Sequence, residues 1–335
     1  MRVAHLGERR LIARLLRPHF NRPGAVAIGP GDDCAMVRVA PRRAWLVTTD
    51  QQIEGTHFRW GWSTPEQLGR RAAAVTLSDI GAMGGRPRYL LVSLGLPPRT
   101  PLTVIDGWYR GLRRLLARER VALIGGDTSA ATCFHVALTA IGEIDPARAV
   151  TRAGARPGDC LLVTGTLGEA AAGLHALKHG RQRAARELIR RHHYPEPRLA
   201  AGRALAEHRF ATAMLDLSDG LLIDLDRLCE ASGVGAELLL DRLPLSAALI
   251  RYTESRTRAR SFALAGGEDY ELLFTVRPGE MERCLRLLRR MRVPCRCIGR
   301  IISKRPGRAV RCLEQGRPAT RVGRRIGYEH FSVSR

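Results

Sequence analysis

The sequence predicts an α/β or α+β protein of two domains. Its 335 residues are enough for two hydrophobic cores, and 45% of them are hydrophobic, as in a globular chain. Short apolar runs of strand character alternate with longer segments of helical periodicity. The stretch DPARAVTRAGARPGD at 145–159 is rich in Pro, Gly and charged residues and separates the two halves. We therefore predict an N-terminal domain over residues 1–150 and a C-terminal domain over 151–335.

Local composition predicts the elements of these domains in order. Aliphatic and β-branched runs predict strands at AWLVTTD (44–50), YLLVSLGL (89–96), VALIGGD (121–127), FHVALTAIGEI (134–144), CLLVTGT (160–166), ATAMLDLS (211–218), YELLFTV (270–276) and CRCIGRI (295–301). Apolar residues that recur every three or four positions predict helices at 6–17, 65–84, 101–118, 168–179, 183–193, 197–207, 220–231 and 279–292.

The formal charge of +23 suggests nucleic-acid binding, but two observations argue against it. Only Lys178 and Lys304 are lysines, so the excess is almost entirely arginine, as a codon bias toward arginine would produce. The arginines are spread along the chain, and aromatic residues make up only 5%, too few for base-stacking platforms. We therefore expect no nucleic-acid partner.

The chain also lacks the signals of membrane insertion or export. No apolar run approaches the roughly 20 residues of a membrane span. The basic amphipathic start, MRVAHLGERRLIARLLRPHF, has no apolar core or small-residue cleavage site, and Glu8 argues against a transit peptide. The eight cysteines include no C-x-x-C pair and no histidine at zinc spacing. These features predict a cytoplasmic protein with reduced, buried cysteines.

Aspartates follow several of the predicted strands. Asp50 ends AWLVTTD, Asp127 ends VALIGGD, and Asp216 and Asp219 close AMLDLSD, while Asp33 follows a glycine-rich turn in GPGDDCAM. The carboxyl ends of strands are where α/β folds gather ligand-binding groups. We therefore expect these separate segments to converge on one site.

Asp79 lies on the apolar stripe of the helix predicted at 65–84, four residues after Val75 and four before Met83. A carboxylate on a buried face costs several kcal/mol unless it is paired or bound to a metal. The alternative is an aspartate that caps a helix break at SDIGAMGG.

The acidic segments GPGDDCAM, LVTTD, VTLSDIGAMGG, LIGGDTSAA and LDLSDGLLIDLD contain no basic residue. Two carboxylates ~4 Å apart repel by about 4 kcal/mol at an effective dielectric constant of 20. A cluster of five or six would therefore need divalent cations, and ligands that are all oxygen atoms favour Mg²⁺.

Magnesium held by carboxylates is typical of sites that bind phosphate groups. Glycine amides in IGGDT and VTGTLGEAAAG, at strand–helix junctions, can meet phosphate oxygens, and Arg152 could clamp one with its guanidinium. The P-loop, protein-kinase and dinucleotide-binding signatures are absent. If ATP is used, its phosphates are therefore held by metals on aspartates.

These motifs occur in an order that resembles the thiamine-monophosphate kinase family, within the aminoimidazole-ribonucleotide-synthetase-like superfamily. The resemblance extends over LGERRLIARLL, GPGDDCAM, TTDQQIEGTHF, VTLSDIGAMGG, LIGGDTS, VTRAGARPGD, VTGTLGEAAAGL, LDLSDGLLIDL, LAGGEDYELLFTV, CIGRI and GYEHF. It implies an N-terminal domain of mixed sheet and helices that pairs with its copy in a homodimer, and a C-terminal α/β domain that closes the cleft. It also implies transfer of the γ-phosphoryl group of ATP directly to thiamine monophosphate, with several Mg²⁺ ions.

The resemblance assigns roles to residues in the matching motifs. The metal ligands would be Asp33, Thr48, Thr49, Asp50, Asp79, Asp127, Asp216 and Asp219, with Asp32 either assisting or only shaping its turn. The residues that contact ATP would be Tyr109, Gly126, Asp127, Arg152 and Ser218. Catalysis would depend on Asp50, Asp79 and Asp127, acting through the metals, and on Arg152.

Three further residues, His57, Glu268 and Tyr328, would face the thiamine moiety. Without the resemblance, His57 would be interpreted as structural, Glu268 as a strand cap and Tyr328 as a packing residue. Thr76 stands where the family commonly has Asn, a departure that removes no ligand.

Two alternatives stay open at this point. Another ATP-using member of the superfamily, such as an aminoimidazole-ribonucleotide synthetase, is disfavoured by GGEDYELLFT and GYEHF. An arginine-rich nucleic-acid-binding protein would show affinity that falls steeply with salt and no requirement for ATP.

Overall fold

The computed structural model describes residues 8–15, 24–304, 306, 309–319 and 327–328. Within these ranges the chain forms two halves, each built on one mixed sheet. The segment between residues 144 and 160 connects the two sheets. In the described part of the chain, no helix combines the length and the apolar character that crossing a membrane requires.

The N-terminal half is a six-stranded sheet with two long helices on one face. The strand order is β1-β2-β3-β6-β4-β5, and β4 and β5 are the parallel pair. The elements, in chain order, are α1 Glu8–Leu15, β1 Val26–Ile28, β2 Ala35–Ala40, β3 Arg43–Ile53, α2 Pro65–Ala82, β4 Arg86–Leu96, α3 Leu102–Glu119, β5 Ala122–Ala130 and β6 His135–Ile144.

Helix α2 is well defined at its start because Thr64 and Gln67 cap it reciprocally. The Thr64 hydroxyl accepts a hydrogen bond from the Gln67 amide (3.2 Å), and the Thr64 amide donates to the Gln67 side chain (2.8 Å). Pro65 occupies the first helical turn, where its missing N–H costs nothing. The helix therefore begins at a fixed position, which in turn fixes where Asp79 lies.

The core of this half lies between α2, α3 and one face of the sheet. Alternate residues of the central strands, such as Leu46, Leu90 and Leu138, are fully or almost fully buried against Leu77 and Ile80 of α2. The intervening residues of these strands point to the other face of the sheet, away from both helices. No helix of the described residues therefore packs on the other face of this sheet.

The C-terminal half is a seven-stranded sheet covered on both faces. The strand order is β13-β12-β9-β11-β7-β10-β8, with β9 and β12 parallel. One face packs against α7 and α9 and the other against α6 and α10. The elements, in chain order, are β7 Cys160–Thr164, α4 Glu169–Lys178, α5 Arg186–His193, α6 Leu199–Glu207, β8 Ala211–Asp216, α7 Leu221–Ser232, β9 Val234–Leu239, α8 Ala247–Thr253, α9 Arg256–Ala265, β10 Leu272–Val276, α10 Met281–Arg290, β11 Cys295–Ser303, β12 Val310–Glu314 and β13 Arg317–Pro318.

All eight predicted strands are confirmed, and seven of the eight predicted helices are confirmed with ends that differ by up to three residues. The eighth, at 6–17, is helical over 8–15, and its remainder lies outside the described residues. Strands β3 and β5 each continue three residues beyond the predicted end, to Ile53 and Ala130, so Asp50 and Asp127 lie inside strands. The ladder continues because polar residues after Asp50 pair with β6 as readily as apolar ones do. None of the eight cysteines, all of which are described, forms a disulfide, and Cys34, Cys229 and Cys284 are buried.

The contact between α2 and α3 depends on two glycines. A Cβ atom at Gly69 would lie 1.8 Å from the Trp108 carbonyl oxygen, and one at Gly111 would lie 1.8 Å from the Glu66 carbonyl oxygen. In each helix, a glycine therefore lies directly against the backbone of the other helix. This close approach lets both helices cover the same sheet face.

We expect Gly69→Ala to lower the free energy of unfolding by about 3 kcal/mol, because the added methyl group overlaps a backbone atom that cannot move independently. Urea denaturation followed by circular dichroism measures this change. Gly279→Ala is the control, since nothing lies within 4 Å of a Cβ atom at Gly279. Equal stability of the two variants would contradict the close-packing interpretation.

Candidate active site

Three carboxylates from distant parts of the chain meet between the two halves. Asp33 lies in the turn before β2, Asp79 lies in the last turns of α2, and Asp216 is the final residue of β8. One oxygen of each carboxylate lies within 4.8 Å of the others. We call Asp33, Asp79 and Asp216 the carboxylate cluster.

Hydroxyl groups orient two members of this cluster. Thr48 Oγ1 donates a hydrogen bond to Asp79 Oδ2 (2.5 Å), and Ser78 Oγ donates to Asp216 Oδ2. Ser78 and Asp79 are consecutive in α2, so one turn of this helix contacts both halves of the protein. The rigid helix thereby sets the spacing between carboxylates of the two halves.

Burial and like charge make the cluster a poor place for negative charge alone. Burial, opposed in part by Arg152, raises the pKa of Asp33 to about 7. Burial likewise raises the pKa of Asp216 to about 7, although the Ser78 hydrogen bond lowers it. The pKa of Asp79 is raised well above its usual value by burial and then by the charges of Asp50 and Asp216.

The oxygen atoms of the site fit a hard divalent cation. Asp33 Oδ2 and Asp50 Oδ2 are buried and have no hydrogen-bond partner among the described residues. Asp50 projects from β3 toward the same region, since its charge acts on Asp79 and on Asp216. Orphaned carboxylate oxygens without nitrogen or sulfur donors are the ligand set that Mg²⁺ prefers.

Arginine is absent from the acidic segments along the sequence, but it is present beside them in space. Arg152 Nη2 donates to Asp33 Oδ1 (2.5 Å), and the Arg152 amide lies 3.2 Å from Asp32 Oδ2. Asp32 Oδ1 also accepts from the Asp33 amide (3.0 Å). Asp32 and Asp33 therefore have a positively charged neighbour in space although they have none in sequence, because the connection between the halves folds back onto the GPGDDCAM turn.

A second group of predicted residues lies at the end of β8. The Ser218 carbonyl accepts from the Glu268 amide (2.8 Å), and the Asp219 carbonyl accepts from the Tyr328 amide (3.1 Å). Asp219 Oδ2 accepts a hydrogen bond from Arg227 Nη1 (2.6 Å). The structure thus brings Ser218, Asp219, Glu268 and Tyr328 together beside Asp216.

Other predicted residues lie away from the cluster. Thr49 points to the opposite face of the sheet from Thr48, with its hydroxyl 3.2 Å from that of Thr139. His57 Nδ1 accepts from the Ile53 amide (3.0 Å) within its own turn.

Gly126 and Asp127 lie on β5, which is exposed along its whole length. Gly126 is three strands from Asp50, about 14 Å at the usual strand spacing. Tyr109 lines a separate cavity of about 490 Å³ along α3, with Arg110, Arg113 and Arg114.

The structure also adds residues that the sequence did not indicate. Arg71 of α2 and His192 of α5 both contact Glu268. Arg227 bridges Asp219 and Asp224. Nothing distinguishes these two arginines from the other arginines in sequence, and His192 stands in an unremarkable His-His pair.

The chain matches two family models, the AIR synthase related protein N-terminal domain over residues 31–144 and C-terminal domain over residues 156–311. It is 36% identical to the thiamine-monophosphate kinase of Haemophilus influenzae and 38% identical to that of Escherichia coli, each time over 98% of this chain and 99% of the relative. The chain belongs to the thiamine-monophosphate kinase family.

A solved structure of this family, described as AaThiL complexed with AMPPCP and TMP, superposes with a TM-score of 0.83. It is 32% identical in sequence, and the match covers 98% of this chain and 99% of that one. The two-domain arrangement of thiamine-monophosphate kinases is therefore the fold of this chain.

The raised pKa of Asp216 predicts a pH-dependent loss of stability when divalent cations are removed. The folded-state pKa of about 7 exceeds the unfolded value of 3.8, so the folded protein binds more protons between these values and its stability falls as pH rises. From pH 5 to 7.5, we expect the wild type to lose about 2 kcal/mol more than Asp216→Asn.

Urea unfolding in EDTA at the two pH values measures this difference. The control is Glu207→Gln, which removes an exposed carboxylate from α6 and should follow the wild type at both pH values. An Asp216→Asn variant that also follows the wild type would show that Asp216 is not held neutral in the folded protein.

Proposed function

We infer that this chain is a kinase that uses ATP to phosphorylate thiamine monophosphate, giving thiamine diphosphate. The supporting observation is full-length similarity to thiamine-monophosphate kinases, including one solved with an ATP analogue and TMP. The carboxylate cluster suits this reaction, because two polyanions must approach each other within one cleft.

We further propose that Asp33, Asp50, Asp79 and Asp216 hold several Mg²⁺ ions, and that Thr48 and Asp219 are additional ligands at the periphery of the site. Bound Mg²⁺ would offset the repulsion between phosphate groups and stabilise charge on the transferring phosphoryl group. Asp32, Thr49 and Asp127 remain proposed ligands, and a backbone carbonyl is the atom that Thr49 could offer, since its hydroxyl faces away.

The remaining residues divide between the two substrates. Arg152 is the proposed phosphate clamp, and it would exchange Asp33 for a nucleotide phosphate when metal neutralises that carboxylate. Tyr109, Gly126 and Ser218 are proposed to contact ATP. His57, Glu268 and Tyr328 are proposed to contact the thiamine moiety.

A general base is unnecessary for this transfer. The second pKa of a phosphomonoester is about 6, so the acceptor phosphate is already an anionic nucleophile at pH 7. The residues of the chain then have to bind the acceptor, align it and keep water away from the transferred group.

An ADP-release assay with Mg·ATP and thiamine monophosphate tests this function. We expect release that depends on both thiamine monophosphate and Mg²⁺, and Asp50→Asn should lower kcat at least about 100-fold because an orphaned carboxylate oxygen is lost. The control is Asp241→Asn, whose carboxylate pairs with Arg260 at 3.0 Å.

ADP release that ignores thiamine monophosphate but responds to another phosphorylated acceptor would favour a different superfamily activity. Thermal stabilisation by DNA or RNA, without stabilisation by Mg·ATP, would instead favour the nucleic-acid-binding alternative. Near-normal turnover by a folded Asp50→Asn variant would remove Asp50 from the metal site.

We also propose that the chain forms a homodimer through the uncovered sheet face and the β5 edge. Trp45 and Tyr89 stack edge to face on this side at 6.0 Å, and Leu123 and Ile124 of β5 are exposed. An exposed edge strand with apolar side chains favours pairing with another chain, and a second copy supplies the same surface symmetrically.

Light scattering after size exclusion should therefore give the mass of two chains. Ile124→Lys should shift the wild-type dimer toward monomer, because it places a charge in the proposed interface. Leu102→Lys is the matched control, since Leu102 is 79% exposed at the start of α3, outside the sheet. A monomeric wild type would refute this arrangement.

A further inference from the structure

Glu268 is held by two side chains that come from different halves of the protein. Arg71 Nη2, from α2, donates to Glu268 Oε1, and His192 Nδ1, from the end of α5, lies 3.1 Å from Glu268 Oε2. Arg71 and His192 also contact each other, with Arg71 Nη1 2.9 Å from His192 Nε2. The three groups form a closed triangle, which we call the Glu268 triad.

The contact between Arg71 and His192 has a defined hydrogen-bond direction. The guanidinium of Arg71 has no acceptor atom, so a ring nitrogen of His192 accepts from Arg71 Nη1, which lies 2.9 Å from Nε2 and 3.3 Å from Nδ1. With the nearer Nε2 as the acceptor, a neutral His192 carries its proton on Nδ1, 3.1 Å from Glu268 Oε2. Burial and the Arg71 charge lower the pKa of His192, which favours this neutral imidazole. Burial alone would raise the pKa of Glu268, but the charge of Arg71 and the contact with His192 hold it well below its usual range.

The backbone around Glu268 is fixed as tightly as its side chain. Glu268 and Tyr270 adopt left-handed φ angles of 63° and 50°, which non-glycine residues rarely adopt. The amides of Glu268 and Tyr270 donate to the carbonyls of Ser218 and Leu217, at 2.8 and 2.9 Å. Strained residues that the surrounding structure holds in place are typical of functional sites.

One carboxylate oxygen of the triad retains capacity for a ligand. Glu268 Oε2 is buried and lacks a hydrogen bond of good geometry within the described residues, and Arg71 Nε is likewise without an acceptor. The Glu268 side chain as a whole is 27% exposed, so part of it is accessible to solvent. An ionised carboxylate with an open acceptor position suits a cationic group or an amine N–H donor.

We propose that Arg71 and His192 are positioning residues that hold the Glu268 carboxylate in the orientation that meets the cationic, amine-bearing organic part of the acceptor. This inference rests on the proposed function, in which that acceptor is thiamine monophosphate. Because Arg71 belongs to the N-terminal half and the other two residues to the C-terminal half, the acceptor site is complete only when the halves are joined as they are here.

Isothermal titration of thiamine monophosphate and of thiamine, in the presence of Mg·AMPPCP, tests the proposal without turnover. We expect Arg71→Met to weaken binding of both ligands at least tenfold and by the same factor, because Glu268 contacts the organic part. Affinity for Mg·AMPPCP alone should change less than twofold. Unchanged affinity for both thiamine ligands in a folded Arg71→Met variant would overturn the proposal.

A double-mutant cycle distinguishes a positioning role of Arg71 from a general loss of packing between the two halves. Glu268→Gln should weaken thiamine binding, and adding Arg71→Met to it should cause no further loss, since Arg71 acts through Glu268. Multiplicative losses would overturn the proposal. The matched control is Arg70→Met, which removes a neighbouring ion pair between the halves (Arg70 to Glu196, 2.7 Å) without touching Glu268 and should leave thiamine affinity unchanged.

Two His192 variants keep the test decisive if Arg71→Met does not fold. His192→Asn retains a side-chain N–H donor near the Nδ1 position and should keep affinity within about threefold, whereas His192→Leu should lose it at least tenfold. Equal affinities for these two variants would overturn the role of His192. A wild type that releases no ADP with thiamine monophosphate would refute the proposed function, whereas an active wild type with unaffected variants would refute only this inference.

Discussion

Mutual repulsion among buried carboxylates is the constraint around which this molecule is organised. Asp33, Asp79 and Asp216 converge although Asp33 and Asp216 are buried and Asp79 is half-buried, and uncompensated charge is strongly unfavourable at such positions. Hydrogen bonds from the hydroxyl groups of Thr48 and Ser78, the guanidinium of Arg152 and the raised pKa of Asp33 all reduce this repulsion. These interactions still leave buried carboxylate oxygens without a hydrogen-bond partner among the described residues. A multivalent cation could coordinate several of these oxygens at once.

The arginines beside the candidate metal ligands have a different role from the arginine beside Glu268. Arg152 and Arg227 lie on candidate metal ligands, Asp33 and Asp219, where they balance charge. Arg71 lies on Glu268, where it maintains a carboxylate in its ionised form. A basic chain therefore uses its arginines within the cleft as local counterions, and the sign of the overall charge says little about what the cleft binds.

The hydrophobic periodicity of the sequence was sufficient to predict most of the helices and strands, because most of them are long enough to show which face is buried. Short strands such as β1 and β2, and the arginine-rich helix α9, were missed because their apolar faces are narrow or interrupted. Side chains alternate between the two faces of a strand, so Thr48 and Thr49 of β3 lie on opposite faces. This alternation is visible in the sequence, but the motif assigns both residues to the same metal site. The position of Asp127 on an edge strand and the contacts of Arg71 and His192 depend on tertiary neighbours, which local pattern does not encode.

The adjacency of Ser78 and Asp79 has a thermodynamic consequence for the whole chain. Asp33 and Asp79 belong to one half and Asp216 to the other, and Ser78 is the group that holds Asp216 beside them. Any hinge rotation between the halves must separate these oxygens, so open and closed conformers differ in affinity for a divalent cation. By reciprocity, an ion that binds the closed conformer more tightly shifts the population toward it by the same free energy. Cation binding and any such rotation of the halves would therefore be coupled equilibria.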